Sequence, residues 1–120
     1  MGKRGPHIRE LFDLTGKVAM VTGGAQNLGL DMAEALGEAG ADLVITSRDP
    51  DKVARVAEEL AADLGVRVLG IPLDVTSPDS VAATFARVNN EYGRLDVLVN
   101  NAGGARKTSG GVTADTRSVE

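Results

Sequence analysis

The sequence predicts an α/β fold built on a doubly wound parallel sheet, and three observations carry that expectation. First, four short apolar runs alternate with three segments of helical spacing, a β-α-β-α-β-α-β order, which argues for parallel strands joined by right-handed helical crossovers. Second, the helical segments carry start and stop signals: Asp49-Pro50 and Ser77-Pro78 at two starts, and Gly40, Gly65 and Gly93 at the ends. A short polar side chain can cap free N–H groups, proline suits the first helical position and glycine suits the exit. Third, aromatic residues make up 2% of the 120 residues while apolar residues make up 42%. The core must therefore be built from Ala, Val, Leu and Ile, which suits close-packed α/β layers.

Lys17–Val21 is too short for a helix and runs into Thr22-Gly23-Gly24, so it reads as the first strand. Leu28 to Ala39 then places Leu28, Met32, Ala35, Leu36 and Ala39 at helical spacing, with Gly40 as the stop. Leu43–Ile45 is the second strand. From Asp49-Pro50 the next helix lines up Val53, Val56, Ala57, Leu60 and Leu64 before Gly65. Val66–Ile71 is the third strand, ending in Pro72-Leu73-Asp74-Val75. Val81, Phe85, Val88 and Tyr92 form the third helical stripe, and Leu95–Val99 is the fourth strand. The doubly wound solution orders these strands 3-2-1-4. Residues 1–13 read as a tail, 14–103 as one domain, and 104–120, rich in Gly, Thr, Ser and Ala without periodicity, as a loop or disordered tail.

Composition narrows the function. A net charge of −4 gives no reason to bind nucleic acid, and the basic Lys3, Arg4 and Arg9 read as a solvated terminus. With no cysteine and a single histidine, His7 in the tail, neither a thiolate nor a multi-histidine metal site can be assembled. No apolar run is long enough to span a bilayer and the basic start lacks the apolar segment of a signal peptide. The expected location is the cytoplasm.

The segment that carries chemistry is Thr22-Gly23-Gly24-Ala25-Gln26-Asn27-Leu28-Gly29, set between the first strand and the first helix. A helix start offers free N–H groups and the positive end of its dipole, which together receive a diphosphate. Side chains would block that approach. Gly23 permits the tight turn and Gly29 lets the helix pack against the sheet.

TGGAQNLG resembles the Thr-Gly-x-x-x-Gly-x-Gly loop of short-chain dehydrogenases/reductases. Asn100-Asn101-Ala102-Gly103 is similar to that family's Asn-Asn-Ala-Gly motif after the fourth strand, and Asp74-Val75 to its acidic position after the third. The resemblance runs from about Leu14 to Gly103 and implies a Rossmann-like fold, truncated after the fourth strand, that holds NAD(P). Asn27 departs from the pattern by standing at the family's middle glycine. Asn tolerates left-handed backbone better than other non-glycine residues, so the turn is expected to survive with altered cofactor affinity.

The resemblance further implies a set of cofactor contacts: Gly23, Gln26, Asn27, Leu28 and Gly29 at the diphosphate, Asp74 and the Val75 amide at the adenine, and Asn101, Ala102 and Gly103 along the ribose side. Asp74 also suits a cap for the turn before Ser77-Pro78. After the second strand, NAD-dependent relatives place an acidic residue that binds the ribose hydroxyls, whereas this chain has Ser47-Arg48. A guanidinium can pair with a 2′-phosphate that a carboxylate would repel, so NADP is expected over NAD. Asp49 turning toward the ribose is the alternative.

The family's catalytic Ser, Tyr and Lys find no counterpart. Tyr92 is the one tyrosine, Asp96 stands four residues on, and Tyr92 closes a helix stripe as a core residue. Ser109 and Ser118 lie in the tail. The expectation is a catalytic half absent from this chain, an inactive fragment, and an unpaired Leu95–Val99 edge that drives homo-oligomerisation or poor solubility. The implied activity is hydride transfer between NADP(H) and an alcohol or ketone. Leu11-Phe12-Asp13-Leu14-Thr15-Gly16-Lys17 resembles the lead-in of gluconate-type sugar-acid dehydrogenases and 3-oxoacyl carrier-protein reductases. A non-catalytic dinucleotide-binding module and an inert folding fragment are the competing readings.

Overall fold

The computed structural model describes residues 12–101. Its elements are β1 (Val18–Thr22), α1 (Asn27–Glu38), β2 (Asp42–Ser47), α2 (Pro50–Leu64), β3 (Val68–Pro72), α3 (Pro78–Tyr92) and β4 (Val97–Asn100). The four strands form one sheet in the order β3-β2-β1-β4, and all three pairings are parallel. This is the expected Rossmann-like topology. Val21 pairs with both Ile45 and Val99, and Thr22 with Asn100. The chain leaves β1 toward β2 and β3 on one side and later returns to place β4 on the other. The C-terminal ends of β1 and β4 therefore flank the crevice where such sheets bind ligands.

Strand alternation divides the core. Ala19, Val21, Leu43 and Ile45 face α1 and α2, packing with Ala33, Val53, Val56, Ala57 and Leu60. Val18, Met20, Val44 and Ile71 face α3 and meet Val88, with Val81, Tyr92 and Leu98 at the margin. β1 is buried along its whole length, as a central strand covered on both faces must be.

The caps form as expected at α2 and α3. The Asp49 carboxylate accepts from the Asp51 and Lys52 amides, each at 3.1 Å, and the Ser77 hydroxyl accepts from the Ser80 amide at 3.2 Å. Pro50 and Pro78 follow these caps, and Gly65 and Gly93 close the helices.

Two helix faces differ from expectation. In α1 the buried residues are Gly29, Ala33 and Gly37, while Leu28 is 63% exposed and Ala35 is also exposed. The helix lies close to the sheet, so its fully buried positions are small, while Leu30 and the expected Leu36 pack, partly buried, against the same core. A Cβ on Gly37 would stand 2.6 Å from Leu64 Cδ1 and 3.1 Å from Leu43 Cδ1. In α3, Thr84 takes the buried place and Phe85 is exposed. The Thr84 hydroxyl donates to the Ser80 carbonyl one turn back at 2.9 Å, so its burial leaves no unpaired polar group.

Strand limits also shift. β2 extends to Asp42 and Ser47 because Asp42 pairs with Val18 and Ser47 with Pro72. β3 begins two residues late, at Val68, where Arg67 turns aside to meet the Asp42 carboxylate through its amide (3.0 Å) and guanidinium (3.2 Å). β4 begins at Val97; Asp96 before it already meets β1, its amide donating to the Val18 carbonyl at 2.9 Å and its carboxylate accepting from the Val18 amide at 2.9 Å. Arg94 grips the same carboxylate at 2.8 and 2.9 Å. The Arg94 bond first, then the Val18 amide, hold the Asp96 carboxyl below its ordinary range.

Tyr92 is half-buried. Its hydroxyl donates to the Leu43 carbonyl at 3.0 Å and the Arg67 guanidinium lies 4.4 Å from its ring centroid. Burial, the largest influence, raises its pKa. Leu43 opens the N-terminal half of β2, so Tyr92 sits at the edge of the sheet opposite the crevice. No helix among the described residues is long and apolar enough to cross a membrane.

Candidate functional site

The loop between β1 and α1 is pinned from β2. The Gly23 amide donates to the Thr46 hydroxyl at 3.2 Å and the Gly24 amide to the Thr46 carbonyl at 3.1 Å. Gly23 has φ +67°, a left-handed conformation that glycine adopts without steric cost. Asn27 has φ +52°, the one non-glycine residue with positive φ among the described residues. It takes the left-handed turn that its place in the loop demands.

α1 then starts without the devices that cap its neighbours. Gln26 is extended and makes no side-chain cap, and the first turn carries no acidic residue. α2 and α3 spend a carboxylate and a hydroxyl on their first amides; α1 leaves its own toward the crevice, with the positive end of its dipole. Gly29 is buried. An added Cβ there would stand 2.1 Å from the Gly23 carbonyl oxygen and 2.7 Å from Asn101 Nδ2, so the loop closes on the helix only because position 29 has no side chain. Leu28, beside it, projects outward.

β4 ties into the same loop. The Asn101 amide donates to the Thr22 hydroxyl at 2.8 Å and its Nδ2 donates to the Gly23 carbonyl at 3.4 Å. The Thr22 hydroxyl also lies 3.1 Å from Asn100 Oδ1. Asn101 thus joins the ends of β1 and β4. Ala102 and Gly103 lie outside the described residues.

A second group forms where β2 and β3 end. Arg48, Pro72, Leu73, Asp74 and Ser80 line one open depression. The Ser47 hydroxyl accepts from the Asp49 amide at 3.1 Å, and the Ser47 carbonyl from the Leu73 amide at 2.9 Å, which holds the β2 and β3 exits together. Asp74 Oδ1 accepts from the Thr76 hydroxyl at 2.6 Å and the Thr76 amide at 3.0 Å. Those two bonds, the hydroxyl first, lower the Asp74 pKa, and Arg48 adds a smaller pull in the same direction. Asp74 therefore does hold the turn before Ser77-Pro78, as one of its two expected roles required. Val75 is at the surface. Asp49 Oδ1 is committed to its helix cap, which leaves Arg48 as the charged residue of the β2 exit that borders the depression.

The structure brings Gly23, Gln26, Asn27, Leu28, Gly29 and Asn101 to one loop cluster, and Arg48 and Asp74 to one depression beside it. Sequence reasoning passed over Thr46, Ser80 and Lys52. Thr46 is 1% exposed, and a polar residue directly after the apolar run Leu43–Ile45 was the available signal. Ser80 receives the Asp74 amide at 3.1 Å. Lys52 Nζ donates to Gln26 Oε1 across the gap from α2 to the loop; no pattern in the sequence announces that pairing. The arrangement offers amides and cations to an elongated anion. Among the described residues it offers no tyrosine–lysine pair, since Tyr92 is spent on Leu43.

Comparison with known proteins agrees with this geometry. The family model described as short chain dehydrogenase matches residues 17–118. The chain is 37% identical over 100 residues to 2-dehydro-3-deoxy-D-gluconate 5-dehydrogenase of Formosa agariphila, covering 82% of this chain and 38% of that protein. It is 38% identical over 90 residues to the 3-oxoacyl-[acyl-carrier-protein] reductase FabG of Aquifex aeolicus, covering 75% of this chain and 36% of that one. The solved structure of L-sorbose reductase from Gluconobacter frateurii, complexed with NADPH and L-sorbose, superposes with a TM-score of 0.76 at 38% identity, over 82% of this chain and 38% of that one. The chain thus spans well under half the length of each. With the family model matched over residues 17–118 and the strand order β3-β2-β1-β4 of the sheet, this chain belongs to the short-chain dehydrogenase family.

Proposed function

We propose that this chain binds NADP, as the cofactor-holding part of an oxidoreductase that transfers hydride between NADP(H) and an alcohol or ketone. The observation that carries the reading is the uncapped start of α1, facing the crevice behind a loop that closes only because residue 29 is glycine. The amides of residues 27–29 would hold the diphosphate, with Gly23 and Asn27 shaping the turn and Leu28 flanking it. Asp74 and the Val75 amide would meet the adenine, and Asn101, with Ala102 and Gly103, the ribose on the nicotinamide side. Ser47 and Arg48 would receive the 2′-phosphate.

When bound, the nicotinamide supplies a hydride donor or acceptor. The chain's own work in the described region is to bind and orient. The acid–base group that handles the alcohol proton belongs outside residues 12–101, because the Tyr92 hydroxyl is engaged at the far edge of the sheet. The sugar-acid and 3-oxoacyl relatives support substrates of those two kinds. A cytoplasmic location is part of the proposal and rests on the cysteine-free composition.

One charged hydrogen bond from Arg48 to a 2′-phosphate is worth about 1.5–3 kcal/mol, or roughly ten- to a hundredfold in affinity. Calorimetric titration should therefore show NADP binding at least about tenfold tighter than NAD, with amide shifts across residues 23–29. Tighter NAD binding would defeat the cofactor assignment, and unmoved amides in that loop would defeat the site.

We further infer that the chain self-associates. Among the described residues the outer edge of β4 has no partner strand, and Val97, Leu98 and Val99 are each partly exposed. Such an edge is a template for pairing. Light scattering is expected to report a dimer or larger; a monodisperse monomer at high concentration would contradict this.

A further inference from the structure

Lys52 occupies an unfavourable place for a cation. It is the third residue of α2, within the first turn, where the helix dipole disfavours positive charge. Its backbone amide is fixed by Asp49 Oδ1 at 3.1 Å. Helical side chains lean back toward the N-terminus, and Lys52 does so, delivering its ammonium to Gln26 Oε1 at the edge of the phosphate loop. Gln26 can occupy one of the three ammonium donors, so the others remain for a ligand.

Lys52 joins the uncapped start of α1 on the loop side, and Arg48 stands four residues before it at the β2 exit. The nearby carboxylates hold hydrogen bonds within their own turns or face solvent. Asp49 caps α2 and Asp74 holds Thr76, while Asp51 is exposed on the first turn of α2. The diphosphate already has the amides of α1. A second cation beside the loop suits a second anionic group.

Building on the NADP reading above, we propose that Lys52, held in place by Gln26, is a specificity residue for the 2′-phosphate and shares that role with Arg48. The lysine is a point charge that complements the planar fork of the arginine, and Gln26 serves as its positioning residue.

The test is calorimetric titration of the full chain with NADP, NAD, 2′,5′-ADP and 5′-AMP, comparing wild type with Lys52→Ala and Lys52→Arg. Lys52→Ala is expected to weaken NADP and 2′,5′-ADP by about tenfold, the effect of one charge-assisted contact. NAD and 5′-AMP should change by less than about twofold, and Lys52→Arg should recover most of the loss. Gln26→Ala, in the diphosphate loop itself, should weaken both dinucleotides but NADP the more, because it also releases the lysine. Equal weakening of NADP and NAD would overturn the proposal, since Lys52 would then serve the shared diphosphate or the loop itself. An unchanged NADP affinity would overturn it as well. Failure of the wild type to bind any of the four would instead strike the parent reading of a dinucleotide site.

Discussion

Gly29→Ala is expected to weaken dinucleotide binding by more than about tenfold and to destabilise the fold, although alanine is the better helix former. Replacing a helical glycine by alanine gains roughly 1 kcal/mol in propensity. Against that gain, the new methyl group would sit 2.1 Å from the Gly23 carbonyl oxygen, 2.9 Å from the Gly23 carbonyl carbon and 2.7 Å from Asn101 Nδ2. Two of these three atoms are backbone, so no change of rotamer relieves the contact and the loop itself must move. Overpacking of this kind costs about 1–3 kcal/mol and occasionally more, so the clash outweighs the propensity. The displaced loop also carries the amides proposed to meet the diphosphate, and misplacing such donors by about 1 Å is enough to lose much of their effect. Thermal unfolding and calorimetry on the same sample separate the two consequences. Binding by Gly29→Ala equal to wild type would show that the loop does not depend on this close approach.

The fold was legible because its signals are local and repeated. Asp49-Pro50 and Ser77-Pro78 mark helix starts through chemistry that needs no tertiary context, and the β-α alternation admits few topologies once parallel strands are assumed. What escaped was set by packing. α1 was read from its larger apolar residues, yet the sheet meets Gly29, Ala33 and Gly37, because close approach selects for small size rather than hydrophobicity. Thr84 displaced Phe85 from the buried face because its hydroxyl could be satisfied by its own helix. At the site, glycines and motif asparagines announce themselves through backbone geometry. Asn27 adopts the left-handed conformation that its place in the turn demanded. Thr46 announced itself only as a polar residue after an apolar run, and Lys52 not at all. Their roles depend on which loop lies across from them, and that is a property of the assembled sheet.

Leu43→Ala is expected to be the most damaging change away from the site. Leu43 is fully buried and pairs with Ala19 on one side and Val68 on the other. Its side chain fills the space under α1 opposite Gly37. Its amide donates to the Arg67 carbonyl at 2.8 Å, and its carbonyl accepts the Tyr92 hydroxyl at 3.0 Å. Those backbone bonds survive the substitution, so the loss is that of packing alone. Gly37 and Ala33 carry too little side chain to fill the gap, and Leu64 beside Gly37 fills it only in part, which places the cost within the usual range of about 2–5 kcal/mol for this truncation. Against a total stability of order 5–15 kcal/mol, that is enough to unfold a large share of molecules on mild warming. Leu28→Ala removes the same atoms from a side chain that is 63% exposed and should cost under about 0.5 kcal/mol. Urea titration of the two variants makes the comparison directly, and a loss below about 1 kcal/mol for Leu43→Ala would mean that α1 can settle onto the sheet after all. The two leucines should also divide in the opposite sense on function. Leu28 flanks the proposed diphosphate site, whereas Leu43 lies at the other end of β2, so the fraction of Leu43→Ala that remains folded should bind dinucleotide with wild-type affinity.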